Sequence, residues 1–281
     1  MMSTEVDAAP NLSALYAKAA LTGPIRRGGE LPATEYVRRD ITIDHAHLAE
    51  YDRVCGFGLR DVLPATYPHV LSFGLSVRLM TDPGFPFPLV GLVHVANSIT
   101  VHRPVLVTDV LTQRVRVANL RPHPKGRQLD VITETSVGGE VVWRETSTYL
   151  RRGKSDDSAP RADRVAEIEP GSPTAFWQVP ADQGRRYAAV SGDRNPIHLR
   201  ALTAKAFGFP RAIAHGMWTK ARALAALEGR LPESCTVDVD FVKPLLLPSK
   251  VEFTELGVPG NGATFAVHSR SGKPHLLGRV H

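Results

Sequence analysis

Hydrophobic and polar positions alternate with a period of two over long stretches of this chain, and they do so in two separate blocks. The first block holds Tyr36 to Ile43, then GLVHVANSITVHRPV, TDVLTQRVRVANL, RQLDVITETSV and EVVWRETSTYLRR, with turn signals at HPKG and at Gly138 and Gly139. Its last four runs predict an antiparallel meander. The second block holds SCTVDVDFVKP, SKVEFTELG, ATFAVHSR and HLLGRV, with hairpin signals at Gly260 to Gly262 and Gly272 to Lys273.

Ahead of each set of strands the period changes to that of a helix. One runs from about Leu71 to Met80, stopped by Asp82, Pro83 and Gly84; the other runs from about Gly216 to Glu228, with Met217, Ala221, Leu224, Ala225 and Glu228 on one face. Pro83, Phe85, Pro86 and Phe87 predict that the first helix is the shorter, which either opens a tunnel or is compensated by larger side chains in a rearranged, closed core. Near the start, NLSALYAKAA places Leu12, Leu15, Tyr16 and Ala19 on one face of a short helix, with no function legible in it.

The run GKSDDSAPRADR is charged, small and proline-bearing, as linkers are. It divides the chain into an N-terminal extension (1–30), a first domain (31–152), a linker (153–165) and a second domain (166–281). The two halves also match in residues. Tyr51, Val54, Cys55 and Gly56 read against Tyr187, Val190, Ser191 and Gly192; Ser72, Phe73 and Gly74 against Ala214, His215 and Gly216; and Arg103 and Pro104 against Lys243 and Pro244. An α+β fold repeated twice is the expectation.

The halves differ where chemistry is concerned. After Gly192 the second half reads DRNPIH, putting Asp193 five residues before His198; after Gly56 the first half reads FGLRDVLP, and it has Phe73 where His215 stands in this pairing. Pro196 pushes Asn195 out of helical geometry and Gly192 permits a tight turn, so Asp193 and His198 sit on an irregular loop that can aim both into one cleft. An acid and an imidazole converging on one point can hold a water and move its protons. Gly216, at the expected helix start, offers unpaired amides and the positive end of the helix dipole, an oxyanion-binding arrangement.

Composition narrows the field further. With 281 residues, 43% hydrophobic and 22% charged, the chain has ample material for two packed domains. Its basic residues, giving a net charge of +6, are scattered rather than interleaved with aromatics, which argues against a nucleic-acid surface. Cys55 and Cys235 lack metal-ligand spacing, so neither a disulfide framework nor a zinc site is expected, and both thiols should be reduced and buried. There is no signal-peptide pattern and no apolar run of membrane-spanning length, so a cytoplasmic protein is expected.

SGDRNPIH followed by AKAFGFPRAIAHGM resembles the signature of MaoC-like R-specific enoyl-CoA hydratases and 3-hydroxyacyl-thioester dehydratases, without a gap from Tyr187 to Met217. The whole length, with its degenerate first half, resembles the double-hotdog mycobacterial type, in which each half is a long helix wrapped by an antiparallel sheet. The resemblance implies that Asp193 and His198 are the catalytic acid and histidine, that Gly216 binds the thioester oxygen, and that Asn195 orients His198. His215 is expected to line the pocket or to brace the loop. It implies reversible syn hydration of a trans-2-enoyl thioester to the (3R)-3-hydroxyacyl thioester, with no metal or organic cofactor. Part of the acyl pocket would come from the first half. The thioester carrier, coenzyme A or acyl carrier protein, would meet Lys205, Arg211 and Lys243, and a monomer or a homodimer would serve. Thioester hydrolysis and a non-catalytic acyl-thioester binding role are the competing readings.

Overall fold

A computed structural model describes residues 2–22, 29–154, 158–159, 165, 172–257 and 262–281. Of the expected linker, 155–157 and 160–164 lie outside the described residues, as do residues 23–28 and the hairpin positions Gly260 and Asn261. In chain order the elements are β1 (Met2–Glu5), α1 (Leu12–Thr22), β2 (Thr34–Ile41), α2 (His45–Cys55), α3 (Tyr67–Met80), β3 (Leu92–Val101), β4 (Leu111–His123), β5 (Gly126–Val137) and β6 (Glu140–Arg152). Then follow β7 (Ala175–Val179), α4 (Gln183–Ser191), α5 (Pro196–Leu199), α6 (Ala201–Ala206), α7 (Gly216–Ala226), β8 (Cys235–Phe241), β9 (Ser249–Leu256), β10 (Ala263–Ser269) and β11 (Pro274–Val280).

The eleven strands among the described residues form one sheet in the order β1-β2-β4-β5-β6-β3-β8-β11-β10-β9-β7. Read outward from the β3–β8 junction, the two halves are the same sequence of strands: β3, β6, β5, β4, β2 on one side and β8, β11, β10, β9, β7 on the other. The first strand after each helix therefore leaves the meander and pairs at the seam, where Ala96 to Val101 run antiparallel to Asp240 to Cys235. Alternation alone gives the strands but not this crossing. The N-terminal extension also joins the sheet, because β1 pairs parallel with β2 at its edge.

The duplication is visible in the helices. α2 and α4 both end in a glycine of left-handed conformation, Gly56 at φ 85° and Gly192 at φ 74°, each donating its amide to the carbonyl four residues earlier. A side chain at that φ is strained, so glycine at both ends keeps the same helix stop. The third pairing holds as well, since Val62–Leu106 and Ile213–Leu246 form equivalent bridges, 140 residues apart on their second members. These bridges overturn the middle pairing. Leu63 and Pro64 stand where Ala214 and His215 stand, while Phe73 lies well inside α3.

The expectation of a shortened first helix also fails. α3 has 14 residues and α7 has 11, because Pro68 occupies the first turn of α3, where a missing amide hydrogen costs nothing. The tunnel expected from a short helix loses its basis. α3 and α7 pack on the sheet, and a single apolar cluster, including Tyr51, Tyr67, Trp143, Tyr187, Trp218 and Phe253, extends through both halves. Lys220 of α7, fully buried, donates to Asn97 O across the seam and to Val237 O, and Asn97 in turn donates to Glu145. Cys55 and Cys235 are free and buried, as expected. Among the described residues no helix is long and apolar enough to cross a membrane.

Candidate active site

The segment between the α-helical glycine stop and the following bridge is short in the first half, Gly56 to Val62, and long in the second, Gly192 to Ile213. The additional chain folds into α5 and α6 and carries the polar residues singled out above. Asn195 caps α5, its side-chain oxygen accepting from the Ile197 amide at 3.5 Å, and Pro196 fills the first helical position. His198 thus comes from a helix start built by NPIH. The Asn195 carbonyl also accepts the His198 amide at 3.0 Å.

Below this turn, α4 comes very close. A Cβ on Gly184 would sit 2.0 Å from the His198 carbonyl oxygen, so only glycine permits the approach. Nothing in the spacing of QGRRYAAV marks Gly184 for that role; the contact is with backbone 14 residues away.

The structure brings Asp193, His198 and His215 together, with one ligand-type atom of each within 4.8 Å of the others. The rings of His198 and His215 stack at 3.7 Å between centroids. His198 Nδ1 lies 2.8 Å from the Ile213 carbonyl, which can only accept, so the proton sits on Nδ1 and Nε2 is left as a base. His215 Nε2 donates in the same way to the Asp193 carbonyl at 3.0 Å and lies 3.7 Å from Asp193 Oδ2. His215 thus contacts the loop backbone through Nε2, while its Nδ1 is buried without a partner.

The electrostatics follow from this packing. Burial pushes His198 below the usual imidazole value, against the pull of Asp193, and pushes His215 down to about 3 with the His198 ring adding to the effect. Both are neutral at pH 7. Burial works against the Asp193 carboxylate, but His215, His198, the Asn195 amide and the Tyr16 hydroxyl outweigh it and hold Asp193 below the ordinary carboxylate range. A carboxylate and an imidazole with one unprotonated nitrogen thus lie beside each other.

Gly216 opens α7, with His215 at the N-cap position and no side chain capping the helix end. The unpaired first-turn amides and the dipole are as expected of such a start. A Cβ on Gly216 would meet the Phe241 ring at 2.9 Å. Phe241 touches His94 edge-on at 4.9 Å, and His94 stacks on Tyr149 at 4.6 Å, so β3 and β6 of the first half border this position. Sequence reasoning passed over Phe241, His94 and Tyr149, which sit in strands as ordinary alternating positions.

Lys205 lies in α6, Arg211 in the loop before α7 and Lys243 just beyond β8; all three are exposed. Arg211 donates to the Pro248 carbonyl at 3.2 Å, and no hydrogen bond or ion pair among the described residues joins any of the three to the Asp193 group.

An acid, a neutral imidazole and a helix start gathered in one half of a doubled hotdog define a site of the hydratase and dehydratase class. A family model described as "MaoC like domain" matches residues 158–271, the half that carries the site. The chain is 37% identical over 269 residues to 3-hydroxyacyl-thioester dehydratase X of Mycobacterium tuberculosis, covering 95% of each. The crystal structure of that protein, HtdX, superposes with a TM-score of 0.77 over 88% of this chain and 98% of the other. The peroxisomal enoyl-CoA hydratase 2 of Arabidopsis thaliana is 27% identical over 228 residues, 73% of this chain and 72% of its own. An acyl-ACP thioesterase from Bacteroides thetaiotaomicron, at 11% identity and a TM-score of 0.59 over 88% of this chain and 96% of that one, shares the fold alone. The chain belongs to the MaoC-like dehydratase family.

Proposed function

We propose that the protein catalyses the reversible addition of water to a trans-2-enoyl thioester, giving the (3R)-3-hydroxyacyl thioester. The observation that carries this reading is the pair Asp193 and His198, a carboxylate and an imidazole brought within 4.8 Å of each other, the imidazole with Nδ1 engaged and Nε2 free. In the hydration direction they hold the water, whose oxygen bonds to C3 while a proton is delivered to C2 on the same face. The π electrons of the enoyl bond pass toward the thioester carbonyl, and amides at the start of α7, beginning with Gly216, stabilise the charge that develops on its oxygen. Every proton required can be exchanged between the water, Asp193 and His198, so the scheme asks for no metal or organic cofactor.

The acyl chain is assigned to the side bordered by His94 and Tyr149 of the first half, which support this reading by lying next to Phe241 and Gly216. Coenzyme A or acyl carrier protein would be met by exposed cations of the second half, for which Lys205, Arg211 and Lys243 remain the candidates. A cytoplasmic enzyme acting as monomer or homodimer completes the proposal.

The products decide between this reaction and thioester hydrolysis. With a trans-2-enoyl-CoA as substrate, loss of the enoyl absorbance without appearance of free thiol is expected. Stoichiometric thiol release would assign the site to hydrolysis, and an unchanged substrate across chain lengths would leave only a binding role.

A further inference from the structure

α1 belongs to the N-terminal extension, yet it lies against the catalytic loop. Leu15 packs with Phe73 and Val77 of α3, and Leu12 reaches the same cluster. A Cβ on Gly192 would come 2.3 Å from Leu12 Cδ1, so the turn that carries Asp193 passes directly beneath α1. On this same face Tyr16 donates its hydroxyl to Asp193 Oδ1 at 3.0 Å, a bond spanning 177 residues.

The consequence for Asp193 is specific to one oxygen. Oδ1 already accepts the Asn195 amide at 3.1 Å, so with Tyr16 it has two donors. Oδ2 carries the 3.7 Å approach to His215 and is the oxygen left to face a water. We propose that Tyr16 is a positioning residue for the hydration reaction, fixing the rotation of the Asp193 carboxylate so that Oδ2 alone is presented to the reacting water, and that α1 is part of the active site. Burial, with the neighbouring Asp193 charge, pushes the Tyr16 phenol far above its usual range, so it stays a donor at any working pH. A hydrogen bond to a charged acceptor inside a packed site is of the stronger kind. This inference rests on the reading of Asp193 as a catalytic group.

The test is Tyr16→Phe, which keeps the ring packed and removes only the donor, measured beside Asp193→Asn and wild type with a trans-2-enoyl-CoA. Loss of such a bond is expected to lower kcat about tenfold or more while KM stays within about twofold and the thermal midpoint within about 2 °C. Leu15→Ala, which removes packing from the same helix, should lower the thermal midpoint more than Tyr16→Phe does. Wild-type kcat in Tyr16→Phe, with Asp193→Asn inactive, overturns the inference and leaves the proposed function standing. A fall in kcat matched by a fall in folded protein, or a rise in kcat/KM showing that α1 obstructs substrate, also overturns it. If wild type turns over no enoyl thioester, the proposed function itself fails, and the inference with it.

Discussion

At the level of single residues, the site depends on which atoms are already engaged. The Ile213 carbonyl takes one nitrogen of His198 and leaves Nε2 free, and no side-chain hydrogen bond caps the first turn of α7 at Gly216. Gly216→Ala would set a methyl against the Phe241 ring and beside the space where a carbonyl oxygen must approach. Turnover should fall by about tenfold or more, since a displaced oxyanion donor is worth roughly that or above. If Phe241→Leu in the same chain restores thermal stability but not kcat/KM, the amide's access is the cause; full recovery of kcat/KM would assign the loss to packing. The sequence made Asp193, His198 and Gly216 legible because they occur in one contiguous stretch with turn and helix-start chemistry around them. Tyr16 was legible only as part of an apolar face, because its partner lies 177 residues away and no local pattern records such a contact. Asp193, His198 and His215 are also a donor set able to hold a metal ion, and the proposed chemistry needs none. Turnover should be unchanged after exhaustive chelation; loss restored by a divalent cation would require a different mechanism.

At the level of elements, the catalytic loop is held by helices whose own stops and starts are written in the sequence. The Gly192 stop and the Asn195–Pro196 start set the direction of α5, while the closeness of α4 to α5 rests on Gly184. Gly184→Ala places a methyl 2.0 Å from a backbone oxygen, where neither partner is a flexible side chain. We expect destabilisation of about 1–3 kcal/mol in urea unfolding, the range for forced overpacking, together with a loss of turnover greater than the loss of folded protein. A variant with wild-type stability and rate would show that the approach is not required. Helix and strand runs were legible from periodicity, as the meander strands of both blocks show. Two features were not: α3 begins at Tyr67 rather than about Leu71, with Pro68 inside its first turn, and the move of β3 and β8 to the seam depends on pairing between halves rather than on any run of residues.

At the level of the molecule, two copies of one fold share a sheet, and the copies have diverged in the length of one connection. The long connection after Gly192 carries the polar set, and the short one after Gly56 does not, so one site per chain is expected. The duplication was legible from paired residues at both helix stops and at the Pro104 and Pro244 turns, whereas matching by residue type alone misaligned Phe73 with His215. Burial also gives the whole fold a pH dependence. His215 and His94 are each pushed down to about 3, chiefly by burial, while an unfolded histidine titrates near 6.5. Between about pH 6.5 and about 3 these two side chains bind more protons in the unfolded chain than in the folded one, so the stability they contribute at neutral pH is lost progressively as pH falls through that window, offset in part by Asp52, whose carboxyl is pushed up to about 7 by burial. The thermal midpoint should drop from pH 7 to pH 4, and less steeply in His94→Phe; an equal slope in that variant would remove His94 from the account. The central claim, that Asp193 and His198 together add water to an enoyl thioester, is tested most directly by steady-state hydration of a trans-2-enoyl-CoA with Asp193→Asn and His198→Gln. Both variants should fold as wild type does and lose roughly two orders of magnitude or more in kcat, as acid and base groups do; a wild-type rate in either would contradict it.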